Sequence, residues 1–332
     1  MNVLVTGGCG FIGSNLVKYI RKNRPEWKVV NLDKLTYAGN RANLDGVEHE
    51  FFEGDIADGA AVATAAEGVE AIVNFAAETH VDRSILGPAE FIVTDVLGTQ
   101  VLLDYARHHE IRHLQVSTDE VYGDIEPGAA PCTEDAPVRP SSPYSASKSG
   151  GDMQVLAYVR TYGTDALVTR GANTYGARQY PEKFLPLFIT NAFEGEHLPV
   201  YGDGRQSREW LHVEDHCAAI EIALRNGGAG EVYNVGGQER ENMEVVRRIL
   251  DLTGASPDLV RHVEDRPGHD RRYSVDSTKL RDLGWTPAHS FDQGGLEETV
   301  AWYRENREWW EPIKSGEYRE YYERQYAARL SG

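Results

Sequence analysis

The start of the chain narrows its possible folds more than any other segment. Strand-like Asn2-Val3-Leu4-Val5 runs straight into Thr6-Gly7-Gly8-Cys9-Gly10-Phe11-Ile12-Gly13, and a helical pattern begins at Phe11. Glycines at these positions let the backbone turn tightly, approach a phosphate and pack a helix closely on a strand. The helix N-terminus then offers amide groups and the positive end of its dipole to a pyrophosphate. Gly7, Gly10, Phe11, Ile12 and Gly13 are therefore candidate cofactor contacts. A lone Gly-x-x-Gly-x-x-Gly is a weak signal, but between a first strand and a first helix it is specific. Asp33 ends the second apolar run, twenty positions after Gly13. A carboxylate there accepts from both ribose hydroxyls and repels a 2′-phosphate, so NAD is expected rather than NADP. The plainer reading of Asp33 alone is a turn residue at a strand end. Asp55 and Ile56, after the next strand, are expected near the adenine.

Short apolar runs at 3–6, 29–32, 71–75, 113–117 and 166–169 read as strands. Between them, 11–22, 59–66, 89–108 and 144–162 read as helices. This alternation predicts an α/β fold, a Rossmann-type doubly wound parallel sheet with its ligand site along the carboxyl ends of the strands. After about residue 172 the alternation loosens, while 213–224 and 232–235 look like a helix and a strand returning to the sheet. The expected division is a cofactor-binding domain of residues 1–172 plus 212–237. A smaller, discontinuous α/β substrate-binding lobe takes 173–211 plus 238–332. Trp302, Trp309, Trp310, Tyr318, Tyr321 and Tyr322 crowd the tail and read as packing for that lobe.

The formal net charge of -18 argues against a nucleic-acid or anionic-membrane partner and fits a salt-adapted or simply acidic proteome. Cys9, Cys132 and Cys217 are isolated, with no metal-like spacing, and no metal is expected. Met1 leads directly into a strand, leaving no room for a signal peptide, and no apolar run is as long as a membrane span. A cytoplasmic protein is expected.

Two further groups carry chemistry. Tyr144 and Lys148 stand four apart after the helix-start signal Ser141-Ser142-Pro143, so they share one helical face. An ammonium there is expected to lower the phenol pKa from its reference of about 10 and suit Tyr144 to removing a hydroxyl proton. Upstream, a strand ends in Ser117-Thr118-Asp119-Glu120. A plain alcohol dehydrogenase has no use for the adjacent carboxyls, and the combination suggests oxidation followed by elimination. Taken alone, Tyr-x-x-x-Lys is usually a surface pair, and both acids could be ordinary strand-end carboxylates.

Together these motifs are those of the extended short-chain dehydrogenase/reductase superfamily. Within it the chain resembles the dTDP-glucose 4,6-dehydratase family nearly end to end, through 6–13, 32–40, 76–84, 116–123, 143–148, 180–183, 200–215 and 265–273. Thr118-Asp119-Glu120 discriminates, since epimerases and decarboxylases of the superfamily lack that pair. The resemblance implies conversion of dTDP-glucose to a 4-keto-6-deoxy product and water, with NAD retained between turnovers. Tyr144 would take the 4-hydroxyl proton as C4 is oxidised, Lys148 would hold the nicotinamide ribose, and Thr118 would hydrogen-bond near the 4-hydroxyl. Glu120 would remove the C5 proton, and protonated Asp119 would donate to the leaving 6-hydroxyl. The implied cofactor site also includes Lys34, Thr36, Phe75, Ala76, Ala77, Thr94 and Thr174. The implied sugar-nucleotide site comprises Thr79, Thr118, Asp119, Glu120, Asn173, Lys183, Pro199, Tyr201, Arg208, Asn234, Arg266 and His269. Arg208 and Arg266 would supply rigid forks for a diphosphate, whereas Arg271 and Arg272 read as loop or ion-pair residues. Two departures bear on specificity: Ala177-Arg178 replaces a common Gly-following proline, adding a charge beside the substrate loop, and Ser207-Arg208-Glu209-Trp210 replaces apolar-Arg-Asp-Trp. The superfamily further implies a homodimer through the helices at 89–108 and 144–162. The alternatives are a 4,6-dehydratase acting on a UDP- or other nucleoside diphosphate hexose, and a non-catalytic NAD-binding regulator.

Overall fold

A computed structural model describes residues 1–265, 268–315, 318, 319 and 322. In chain order, β1 (Asn2–Thr6), α1 (Phe11–Asn23), β2 (Lys28–Asp33), β3 (Glu50–Glu53), α2 (Gly59–Ala65) and β4 (Ala71–Asn74) form the first half of a sheet. Next come α3 (Val81–Leu86), α4 (Pro88–Phe91), a π-turn at Ile92–Gly98, α5 (Thr99–His109), β5 (Arg112–Thr118), α6 (Pro143–Tyr162) and β6 (Ala166–Gly171). Then β7 (Asn173–Tyr175), α7 (Phe184–Glu194), β8 (Leu198–Tyr201) and β9 (Ser207–His212) leave the sheet before α8 (Val213–Asn226) and β10 (Val232–Val235) return to it. Beyond these, β11 (Gln238–Glu241) pairs with β9, and β12 (Val260–Val263) follows α9 (Asn242–Thr253) and pairs with β8.

The main sheet runs β3-β2-β1-β4-β5-β6-β10, with every pairing parallel. Its inner strands are buried on both faces, which is why Val3–Val5 and Ala71–Val73 are continuous apolar runs with no alternation. Strand order reverses between β1 and β4, and a doubly wound sheet opens its ligand crevice at such a point. A separate apolar core joins α7, β8, α9 and the aromatic residues Phe291, Tyr303, Trp310 and Tyr318, so these tail aromatics are packing residues. Tyr321 lies outside the described residues.

The expected helix at 89–108 is interrupted. Its middle is the π-turn, which apolar periodicity does not reveal because the polar Thr94 and Asp95 fall within it. π-turns concentrate at functional sites, and this one brings Thr94 to the cofactor cavity and buries Asp95 against α6. The position of α6 is fixed at two points. Ser142 and Ser145 close a capping box ahead of it, with Pro143 in its first turn. Farther along, buried Asp152 pairs at 2.9 Å with buried Arg170 of β6. Arg170 also donates to the Tyr122 hydroxyl at 2.9 Å, and Tyr122 donates to Asn234 of β10 at 2.8 Å.

Candidate active site

The residues expected to hold the cofactor, from Gly7 to Thr174, all line one cavity at the carboxyl edge of the sheet. Gly7 has φ +66, and a β-carbon there would lie 2.8 Å from the Ala76 nitrogen; one at Gly13 would lie 2.4 Å from the Gly7 carbonyl oxygen. Any side chain would fill the cradle. No side chain caps α1, so its first-turn amides remain for a phosphate. Asp33 is buried at the end of β2, and each carboxylate oxygen already accepts one backbone hydrogen bond at 2.8 Å, from Cys9 and from Leu35. Each keeps a second lone-pair direction for a ribose hydroxyl. Lys34 pairs with Asp55 at 2.7 Å at the cavity rim. These residues fit a dinucleotide.

At the other end of this cavity lie Thr118, Glu120, Tyr144 and Lys148. The expected lowering of the Tyr144 pKa by Lys148 is not what the structure shows. Burial, then Glu120 and Asp95, push the phenol well above its ordinary value. Lys148 Nζ instead donates to the Val116 carbonyl at 2.8 Å. Low dielectric and two nearby carboxyls outweigh one ammonium engaged elsewhere.

Asp119 and Glu120 differ in surroundings. Asp119 is 2% exposed, and burial, then Glu120 and Glu209, push its carboxyl well above the usual range. Its Oδ1 lies 3.3 Å from the Thr118 hydroxyl, while Oδ2 is a buried polar atom with no partner. Glu120 is half-buried, borders the cavity, and its charge is felt by Asp119, Tyr144, Lys183 and Tyr273. The pair thus sets a buried carboxyl with a raised pKa behind a second carboxyl that borders the cavity, two different surroundings of the kind acid–base chemistry needs.

A second cavity contains Thr79, Glu120, Asn173, Lys183, Pro199, Tyr201, Arg208 and His269. Thr79, Glu120, Asn173 and Lys183 line both cavities, so the two meet at Glu120, while Asp119, expected among the substrate contacts, lines neither because it is buried behind Glu120. Lys183 donates to the Thr79 carbonyl oxygen. The Arg208 guanidinium lies over the Tyr273 ring, 4.2 Å from its centroid, and donates to the Asp270 carbonyl at 2.8 Å. His269 pairs with Asp265 at 2.5 Å and meets the Tyr201 ring edge-on.

One expected substrate contact ends differently. Asn234 is fully buried, donates to the Cys132 carbonyl and accepts from Tyr122, so the structure places it in the β10 framework and in neither cavity. Its strand-end motif resembles a nucleotide contact, but its amide is consumed by strand anchoring. Arg178, the extra charge beside the substrate loop, turns with φ +70, and its guanidinium lies over the Trp302 ring. Arg266 falls outside the described residues. Arg271 and Arg272 form ion pairs with Asp203 and Glu239 at 2.8 and 2.7 Å, as their loop setting suggested.

A family model described as GDP-mannose 4,6 dehydratase matches residues 4–298. The chain is 52% identical over 326 residues to a dTDP-glucose 4,6-dehydratase of Streptomyces niveus, covering 95% of this chain and 96% of that one. It is also 52% identical to the low-salt glycan biosynthesis protein Agl12 of Haloferax volcanii, covering 91% and 98%. The crystal structure of DesIV, a dTDP-glucose 4,6-dehydratase from Streptomyces venezuelae with NAD and TYD bound, superposes with a TM-score of 0.91 at 51% identity, covering 95% and 100%. The chain belongs to the dTDP-glucose 4,6-dehydratase family.

On this family's framework, several groups at the site escaped the reading of the sequence. Asp95 is pushed up to about 6 by burial, against the pull of Lys148 and of a 2.5 Å bond from Ser147. His216 lines the cofactor cavity, held down to about 4 by burial, with Nδ1 2.8 Å from the Thr174 hydroxyl. Glu182 accepts from Tyr37 at 2.9 Å and pairs with Arg83 at 3.0 Å, joining the loop after β2 to the sugar side. Glu209 lies buried and accepts from Ser274 at 2.7 Å. Local sequence gives Asp95, His216 and Glu182 no motif, and it marks Glu209 only as a departure; the fold brings them to the site.

Asp119 yields a test by linkage. Its folded pKa is raised above an unfolded value of about 4. Its contribution to stability is fully present below that unfolded value and is lost as pH rises through the folded one. Asp119→Asn removes this loss. In urea denaturation the variant should match the wild type near pH 4 and gain on it as pH rises towards 8. A difference independent of pH would show that Asp119 is ionised in the fold.

Proposed function

We infer that this chain converts dTDP-glucose to dTDP-4-keto-6-deoxyglucose and water, as an NAD-dependent 4,6-dehydratase. The observation carrying this reading is that cofactor and sugar cavities meet at Glu120, with Thr118, Asp119 and Tyr144 adjoining. The chemistry supplied by bound NAD is acceptance of hydride from the sugar C4 and its return to C6. The glycine loop and first turn of α1 would hold the pyrophosphate, Asp33 the adenosine ribose, and Lys148 the nicotinamide ribose. Arg208, Lys183 and Tyr201 would hold the nucleoside diphosphate.

The protein's own steps follow from its acids and bases. Tyr144 removes the 4-hydroxyl proton while Thr118 orients that hydroxyl. The 4-ketone acidifies the C5 proton, which Glu120 takes. Asp119, whose carboxyl burial holds well above the usual range, donates to the 6-hydroxyl, which leaves as water. Glu120 then returns its proton to C5. We further propose that residues 1–172 plus 212–237 carry the cofactor and that 173–211 plus 238–332 carry the sugar nucleotide. Limited proteolysis of the whole chain checks this division, since NAD should protect the first set and dTDP the second. Protection of both sets by either ligand alone would contradict it.

Two wider aspects belong to the same reading. A homodimer is supported by an exposed apolar row on the π-turn and α6, comprising Ile92, Val93, Leu97, Met153 and Tyr162. Sedimentation as a monomer at micromolar concentration would contradict it. Cytoplasmic residence is supported by three free cysteines, and among the described residues no helix is long and apolar enough to cross a membrane. Recovery in an envelope fraction would contradict it.

Activity is tested by incubating the holoenzyme with dTDP-glucose and following products by NMR. The 4-keto-6-deoxy product should form with no net consumption of NAD. Glu120→Gln should lower turnover on the order of 10²- to 10⁴-fold and accumulate bound NADH, whereas Tyr144→Phe should block both. Full dehydration by Glu120→Gln would overturn the assignment of Glu120, and faster initial rates with UDP-glucose would replace thymine by uracil as the preferred base.

A further inference from the structure

Hydride taken from the sugar C4 must return to C6, so one dinucleotide has to stay in the cavity throughout a turnover. The loop after β2 forms part of the cofactor cavity, through Lys34, Thr36, Ala38 and Gly39. This loop carries backbone strain. Leu35 has φ +54, a left-handed conformation that a bulky residue keeps only where its surroundings impose it. Lining the same cavity are Tyr180 and Lys183, from the segment between β7 and α7. That segment also lines the sugar cavity, through Glu182 and Lys183.

Three side chains join these walls. The Tyr37 hydroxyl donates to Glu182 Oε1 at 2.9 Å, and Arg83 Nε donates to Glu182 Oε2 at 3.0 Å. The Arg83 guanidinium lies over the Tyr37 ring, 3.8 Å from its centroid, and Tyr180 meets that ring edge-on at 5.4 Å. Glu182 is buried, with both carboxylate oxygens engaged. Arg83 stands on α3, and the start of this region is fastened to the sugar side as well. Tyr201 donates to Asp82 at 3.3 Å, and Lys183 donates to the Thr79 carbonyl oxygen. Thr36 and Ala38 flank Tyr37, and Lys183 follows Glu182, so the Tyr37–Glu182 bond spans the cofactor cavity from wall to wall.

We propose that Tyr37, Arg83 and Glu182 form a clasp that retains NAD between turnovers, with Glu182 as the positioning residue that closes it. Release of the dinucleotide then requires the Tyr37 hydroxyl to let go of a carboxylate. Such a charge-assisted bond is stronger than a neutral one, and the burial of Glu182 limits competition from water. The clasp touches no reacting atom. It acts on the residence of the cofactor and leaves proton and hydride transfer to the residues already described. This role rests on the dehydratase reading, in which one bound NAD serves both redox steps.

The test follows cofactor exchange with no sugar present. Holoenzyme carrying isotopically labelled NAD is chased with excess unlabelled NAD, and the label left on the protein is measured after rapid gel filtration. Tyr37→Phe, which removes a single oxygen, should lose label on the order of 10-fold faster than the wild type, the effect of one hydrogen bond to a charged group. Glu182→Ala should lose it at least as fast. The double variant should be no faster than Glu182→Ala, because both substitutions break the same bond. Diluted for assay, Tyr37→Phe should lose turnover with time and regain it when NAD is added. Unchanged label loss in Tyr37→Phe would overturn the clasp, and this variant decides alone if Glu182→Ala does not fold. Effects that multiply in the double variant would also overturn it, as would a loss of turnover that added NAD does not restore. Tyr37 and Glu182 would then serve only the fold. Failure of the wild type to form any 4-keto-6-deoxy product would instead overturn the functional reading itself.

Discussion

The chemistry of this site depends on the burial of one carboxyl, Asp119, beside another that borders the cavity, Glu120. A carboxylate removed from water without a cation is costly, and a buried acid escapes that cost by keeping its proton. Asp119 sits where β5 ends, under the wall of the cavity, with Glu120 and Glu209 both opposing its ionisation. The same strand end gives Glu120 access to the cavity and puts the Thr118 hydroxyl on Asp119. One short segment thus delivers a base, an acid and a hydroxyl because consecutive residues leave the sheet in different directions.

The framework around that segment explains why its geometry is fixed. Asp152, Arg170, Tyr122 and Asn234 tie α6, β6, β10 and the turn after β5 into one buried network. Breaking a buried ion pair of this kind is far more damaging than its net contribution suggests, because an uncompensated charge remains. Tyr144 and Lys148 ride on α6, so this network fixes where they stand relative to Thr118. The chain's charge of -18 would repel a nucleotide diphosphate at long range. Lys183, part-buried, and Arg208, buried, answer it locally from the walls of the sugar cavity, where screening by salt is weak.

Much of this was legible in the sequence, and for physical reasons. The glycine loop has a spacing that only tight turning and close approach require, and parallel strands buried on both faces write themselves as apolar runs. Tyr144 and Lys148 follow from helical periodicity. Sequence pattern fails where a residue's role depends on distant neighbours. Asn234 carries a plausible nucleotide-binding setting, yet Tyr122, 112 positions away, claims its side chain. The sign of the Tyr144 shift was also hidden, since it depends on burial, then on Glu120 and on Asp95 within a π-turn, while Lys148 donates to the Val116 carbonyl. Pairwise spacing shows which groups share a face; it does not show which of them are already engaged.

The central claim is that burial beside Glu120 and Glu209 holds the Asp119 carboxyl well above the usual range. The most direct measurement is infrared difference spectroscopy of the holoenzyme against Asp119→Asn as pH is raised, with the carboxyl groups labelled with carbon-13. The structure predicts that Asp119→Asn removes a protonated carboxyl carbonyl band that persists to higher pH than that of an exposed carboxyl. Loss of a band that titrates in the ordinary carboxylate range would contradict the account.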